Sequence, residues 1–200
     1  MRKNIIYTCV IVLLIIIIFM IWYYLYTEIT SEEENILDTM VENKTGQINE
    51  IKSDDTDELV VKESVIDGKT YETIAIIYIP TLDIQYPVLS STSKELLKIS
   101  LNKYWGPNPN KIGNFCIVGH NYNDEKFFGK LDNIKIGEYV QLTDMSGKTL
   151  QYKVYDTYIV NPEDTDCTSQ LTNGETEITL ITCTKDFKQR FIVKARAEME

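Results

Sequence analysis

The alternation of apolar and polar positions divides the chain into three textures. From Ile5 to Tyr26 (IIYTCVIVLLIIIIFMIWYYLY), 22 residues pass without a charge. As a helix rising about 1.5 Å per residue, this run would be roughly 33 Å long, enough to cross the hydrocarbon core of a bilayer. Trp22, Tyr23, Tyr24 and Tyr26 close the run with side chains suited to the headgroup interface. Arg2 and Lys3 stand before it and Glu28 opens an acidic stretch after it. The positive-inside bias therefore predicts a single-pass cell-membrane anchor over 5–26, a cytoplasmic N-terminus over 1–4, and an extracellular remainder. A cleaved signal peptide fits less well, because the run is too long and no small-x-small site follows.

From 27 to 70 the chain is polar and acidic, with few aromatic residues. Ile36, Leu37, Met40, Val41 and Ile48 recur loosely at helical spacing, but the composition predicts a solvated stalk or linker. After Tyr71 the period changes to that of strands. Seven short β-rich runs follow, at 74–80, 86–89, 114–119, 139–143, 149–160, 177–183 and 190–197. Pro80, Asn108-Pro109-Asn110, Ser146-Gly147, Asn161-Pro162 and Asn173-Gly174 punctuate them. This pattern predicts an all-β barrel or sandwich over 71–200, with a short helix at 92–101 and a further helical turn at 126–131.

Charge narrows the choice of function. The net charge of −10 speaks against a nucleic-acid binder, which needs a basic face. Twelve acids and three bases fall between Glu28 and Glu63, so the acidity belongs to the stalk and not to the β domain. Cysteines at 9, 116, 167 and 183 and one histidine, His120, show no metal-ligand spacing, which predicts no zinc site. Cys116 reads as core packing. A bridge between Cys116 and Cys167 is compatible with an extracellular setting, though nothing in the spacing demands it.

The chemistry-bearing residues gather at strand ends. Cys183 ends the run EITLITC, Arg190 opens RFIVKARA, and the short connection between them makes the two hairpin neighbours. His120 ends NFCIVG at the head of a polar loop. A thiolate can attack, an imidazole can move protons, and a planar guanidinium can donate to an oxyanion. Such an arrangement suits an active site built at a sheet's rim, with the sulfur near the surface. Lys185 and Lys188 in the connection read as solvated charges.

GHN at 119–121, TLITC at 179–183 and the arginine opening RFIVKA at 190–195 resemble the signature of the sortase family in order and spacing. The likeness extends from about Thr73 to Ala197 and includes IPTLDIQYPVL, WGPNPNKIGN and FGKLDNIKIGEYVQLTD. The resemblance implies a closed sortase-like β-barrel with one or two short helices behind the anchor and stalk. It further implies a cysteine transpeptidase that cleaves an LPxTG-like sorting signal on surface proteins. Cys183 would form the thioester, His120 would serve the leaving and incoming amines, and Arg190 would hold the oxyanion. By their positions next to His120 and Cys183, and not by the resemblance, Asn121 and Thr182 would line the substrate groove. The acceptor would be an amine of a peptidoglycan precursor or of a pilin. The short 161–177 and 184–189 connections lean toward the compact class D-like members. No cofactor is implied. Some class A members bind calcium, but Asp124, Glu125, Glu163, Asp164 and Asp166 do not carry that site over by position. Two other readings remain: a membrane-tethered cysteine protease releasing free acid, and a non-catalytic β-barrel binding module.

Overall fold

The computed structural model describes residues 15–21, 23–24 and 61–198. Residues 15–21 and 23–24 are helical with exposed side chains, and the rest of the expected anchor lies outside the described residues, as does the stalk up to residue 60. No helix among the described residues is long and apolar enough to cross a membrane.

The remainder is a single nine-stranded sheet. Its strands are β1 (Lys62–Ile66), β2 (Lys69–Ile79), β3 (Ile84–Leu89), β4 (Leu101–Trp105), β5 (Gly113–Val118), β6 (Tyr139–Asp144), β7 (Thr149–Val160), β8 (Thr176–Cys183) and β9 (Arg190–Ala197). The order is β1-β2-β3-β4-β5-β8-β9-β7-β6, and β6 pairs back onto β2. That last pairing closes β2 to β9 into a barrel and leaves β1 as a hairpin arm. The expected all-β closed barrel is therefore the observed fold.

Two strands depart from expectation. The sheet reaches back to Lys62, across the expected boundary at 70/71, because Asp67 and Gly68 turn the chain with positive φ of 48° and 75°. An Asp-Gly pair with both residues in the left-handed region is the turn that matches strand twist in a two-residue hairpin. The expected helix at 92–101 shrinks to α1 (Lys94–Leu97), and Leu101 already opens β4. Ser93 starts α1 by accepting from the Leu96 amide. The helical turn expected at 126–131 falls instead at Leu131–Asn133, as a 3-10 helix.

Alternation sorts the barrel wall onto two faces. Phe115, Ile117, Ile178, Leu180, Val193 and Ala195 point into the barrel core. Their neighbours Cys116, Val118, Ile181, Cys183 and Ile192 point outward and pack with Leu97, Tyr104, Cys167 and Phe187. β5 is buried at every position, and β8 at all but its first, since both faces are covered. That explains why NFCIV and ITLITC read as nearly continuous apolar runs and not as clean alternation.

Candidate active site

Strand register builds the site. β5 and β8 run parallel, with Cys116 level with Thr179 and Val118 level with Ile181. The ladder continues beyond the strand: the Gly119 amide donates to the Ile181 carbonyl at 3.1 Å, and Thr182 Oγ1 donates to the Gly119 carbonyl at 2.8 Å. Continued two residues past the last paired positions, the same spacing would set His120 opposite Cys183. On the other side of β8, Cys183 pairs directly with Arg190 of antiparallel β9. His120, Cys183 and Arg190 thus form one row across three adjacent strands, each step about 5 Å of backbone. Residues directly opposite in an antiparallel pair share a face, so the Arg190 side chain lies on the outward face with Cys183.

A glycine must precede the histidine. A Cβ on Gly119 would lie 2.3 Å from Leu101 Cδ2 and 2.9 Å from Phe128 Cδ2. Space, not backbone conformation, imposes the residue. Gly119→Ala is expected to destabilise the domain by about 1–3 kcal/mol, the usual cost of overpacking, and to lower activity by displacing His120. A denaturant titration paired with a turnover assay checks both effects.

His120 is held by aromatic packing. Its ring lies 4.8 Å from that of Tyr122 with an interplanar angle of 35°. Tyr122 in turn meets Phe127 at 5.7 Å, and Phe127 meets Tyr86 edge-on at 5.1 Å. The chain returns to the His120 backbone, where the Phe128 amide donates to the His120 carbonyl.

The sulfur is deeper than a rim position predicts. Cys183 ends its strand as expected, but it is 1 % exposed, with His120 at 3 % and Arg190 at 1 %. The cover belongs to the outer cluster of Leu97, Tyr104, Cys167 and Phe187, not to the barrel core. Phe187 sits in the β8–β9 turn with φ of 58°, a left-handed residue that lets the turn fold back. Burial lowers the pKa of the Arg190 guanidinium, while Tyr104, Cys183, Cys167 and Glu163 act in the opposite direction. An arginine begins so far above neutrality that it remains a cation. Burial pushes the Tyr104 phenol up to about 12, against the pull of Arg190. Tyr104 is therefore a neighbour of the row that the sequence did not reveal, since β4 itself was not predicted.

Asn121 and Thr182, expected to line the groove, are buried, and each hydrogen-bonds to backbone. Thr182 faces away from Cys183 by strand alternation and ties β8 to Gly119. Asn121 Nδ2 donates to the Cys183 carbonyl at 2.8 Å. Lys185 is exposed, as expected of a solvated charge, and its ammonium also donates to Asn121 Oδ1 at 3.1 Å and to the Gly129 carbonyl. Cys116 and Cys167 are both buried, and no disulfide joins them. The β7–β8 loop beside the row is nonetheless pinned. Asn114 Nδ2 donates to the carbonyls of Cys167 and Ser169, and Lys194 Nζ donates to the Cys167 carbonyl and to Thr179 Oγ1. Among the described residues no cluster of His, Cys, Asp and Glu could hold a metal ion.

Known proteins similar to this chain in sequence and fold are sortases. The Sortase domain model matches residues 77–198. Sortase A of Bacillus anthracis is 30 % identical over 159 residues, covering 76 % of this chain and 71 % of that protein. Sortase C-1 of Actinomyces oris superposes with a TM-score of 0.58 at 26 % identity, over 63 % of this chain and 74 % of that one. Sortase A of Corynebacterium diphtheriae superposes with a TM-score of 0.60 at 23 % identity, over 87 % of this chain and 90 % of that one. The chain belongs to the sortase family of cysteine transpeptidases.

Proposed function

We propose that this chain is a membrane-tethered sortase that cleaves an LPxTG-like sorting signal and transfers the acyl group to an amine of the cell wall or of a pilin. The observations that support the reading are the pairing of Cys183 with Arg190 across β8 and β9 and the position of His120 two residues past the last paired residues of β5 and β8. Cys183 Sγ, its proton passed to His120, attacks the scissile carbonyl carbon as the thiolate, and the carbonyl π electrons move onto oxygen beside the Arg190 guanidinium. Collapse of this adduct expels the amine, which takes a proton from His120, and leaves a thioester on Cys183. The incoming amine gives up a proton to His120 as it attacks the thioester, which frees the thiolate. The connection between β7 and β8 (161–175) carries only a 3-10 helix, Asp166–Thr168, which favours a compact class D-like member. The uncharged run at 5–26, flanked by Arg2 and Lys3, supports an anchor with the barrel outside the cell. Protease added to intact cells is then expected to remove the barrel while sparing cytoplasmic proteins.

Incubating the full-length chain with an LPxTG-type peptide and a short amine tests the chemistry. An amide-linked product is expected. Free acid alone would make the chain a hydrolase, and neither product nor a Cys183 thioester would leave a binding module.

A further inference from the structure

Between the residue after His120 and the turn after Cys183 runs a polar strap that the reaction itself does not use. Asn121 Nδ2 donates to the Cys183 carbonyl at 2.8 Å, and Asn121 Oδ1 accepts from Lys185 Nζ at 3.1 Å. The same ammonium donates to the Gly129 carbonyl and lies 3.7 Å from Asp132 Oδ1. Three features separate this from an ordinary surface lysine. Its ammonium makes two hydrogen bonds and one longer ion pair, so its direction is defined although the side chain is 51 % exposed. The acceptors all belong to the 121–132 loop, which leaves directly from His120, whereas the lysine belongs to the turn that follows Cys183. The Asn121 amide, 2 % exposed, is engaged at both ends, and only one orientation satisfies both partners.

The physical consequence follows from the parallel pairing of β5 and β8. The register of that ladder ends at Val118 and Ile181, two residues short of His120 and Cys183. Beyond it, a backbone bond at Gly119, Thr182 Oγ1 and the Asn121–Cys183 contact hold the two chains together. Of these, the Asn121 contact reaches the Cys183 carbonyl itself. An ammonium on Oδ1 polarises the amide and strengthens its donation from Nδ2, as charge-assisted and chained hydrogen bonds do.

We propose that Lys185 and Asn121 are positioning residues that act as one unit, fixing the Cys183 peptide, and with it the direction of the thiol, relative to His120. The proposal rests on the acyl-transfer reading of the row. Reaction geometry tolerates little error, since a misplacement of about 1 Å can cost ~10²-fold in rate. Partial loosening through a half-exposed lysine is accordingly expected to cost roughly 10-fold.

The test uses the full-length chain as wild type, Lys185→Met, Lys185→Arg, Asn121→Ala and the Lys185→Met/Asn121→Ala double variant. Amide formation gives kcat and KM, and the rate of iodoacetamide capture at Cys183 is read by peptide mass mapping. Lys185→Met is expected to lower kcat about 10-fold with KM within about twofold, and Lys185→Arg to recover most of the loss. The double variant is expected to be no slower than Asn121→Ala alone, the non-additivity of residues acting as one unit. Multiplying effects in the double variant, or a kcat for Lys185→Met within twofold of wild type, would overturn the proposal. A wild type that makes neither amide nor acid would instead sink the acyl-transfer reading. The alkylation series still decides the strap in that case: slower capture in Lys185→Met and Asn121→Ala supports it, and unchanged capture rejects it.

Discussion

Cys183→Ala is expected to abolish the thioester with a sorting-signal peptide and to reduce amide formation by at least ~10⁴-fold, the scale at which losing a covalent nucleophile leaves only binding and electrostatics. His120→Ala should fall to a similar level, and the double variant little further, because two groups serving one proton and one bond do not contribute independently. The fold is expected to survive. Cys183 is buried in the outer cluster and not in the barrel core, so alanine there leaves a small void costing about 1 kcal/mol. Cys116→Ala supplies the control. That thiol is equally buried and belongs to the same cluster. It pairs with Thr179, four residues back along β8 from Cys183, and so stands outside the row. Its replacement should match the Cys183→Ala loss in stability while leaving turnover within about twofold of wild type. Mass spectrometry of the trapped acyl adduct, with thermal melts of all the proteins, separates the effects. An adduct persisting in Cys183→Ala would remove the nucleophile from the scheme.

Much of the site is legible in the sequence because its members end strands. Runs with strong β character, such as 74–80, 149–160 and 190–197, form strands that contain or closely match their expected limits. A hairpin between 183 and 190 can be read from a short polar connection, and it delivers the Cys183–Arg190 pair. What escapes is decided by distant contacts. β4 (LNKYW) lacks alternation because a bulge lies between Lys103 and Trp105 and most of its residues are covered on either face. β1 hides inside an acidic composition, although Asp67-Gly68 is itself a turn signal. The depth of Cys183 depends on Leu97 and Tyr104, which arrive from some eighty residues away along the chain. The partners of the solvated Lys185 are not legible in one dimension because they lie on another loop. Local pattern thus predicts where reactive groups stand, while cover and straps come from the tertiary crossing of loops over the outer face.

Arg190 should show opposite signs of effect on stability and on activity. Its side chain is among the largest fully buried ones in the described residues. Nε and Nη1 find no hydrogen-bond acceptor among the described residues, an arrangement that ordinarily costs about 1–3 kcal/mol for each buried polar group left unsatisfied, and more when charged. A protein selected only for stability would not keep a guanidinium there, since well-packed apolar groups at buried ionic positions are often neutral or stabilising. The expense is intelligible if the missing acceptor is the substrate's oxyanion, delivered to donors that need no reorganisation when charge develops. Arg190→Met, similar in length and apolar, is therefore expected to melt at the same temperature as wild type or a few degrees higher. Its turnover should fall ~10²–10³-fold, the typical loss of an oxyanion donor. Arg190→Lys should recover little of that, because an ammonium cannot reproduce the planar fork. Calorimetry and turnover on the same preparations read both quantities. If Arg190→Met both unfolds the chain and loses activity in proportion, the guanidinium is a structural cation held by Tyr104 and Glu163. If it is stable and fully active, the oxyanion is stabilised by other donors.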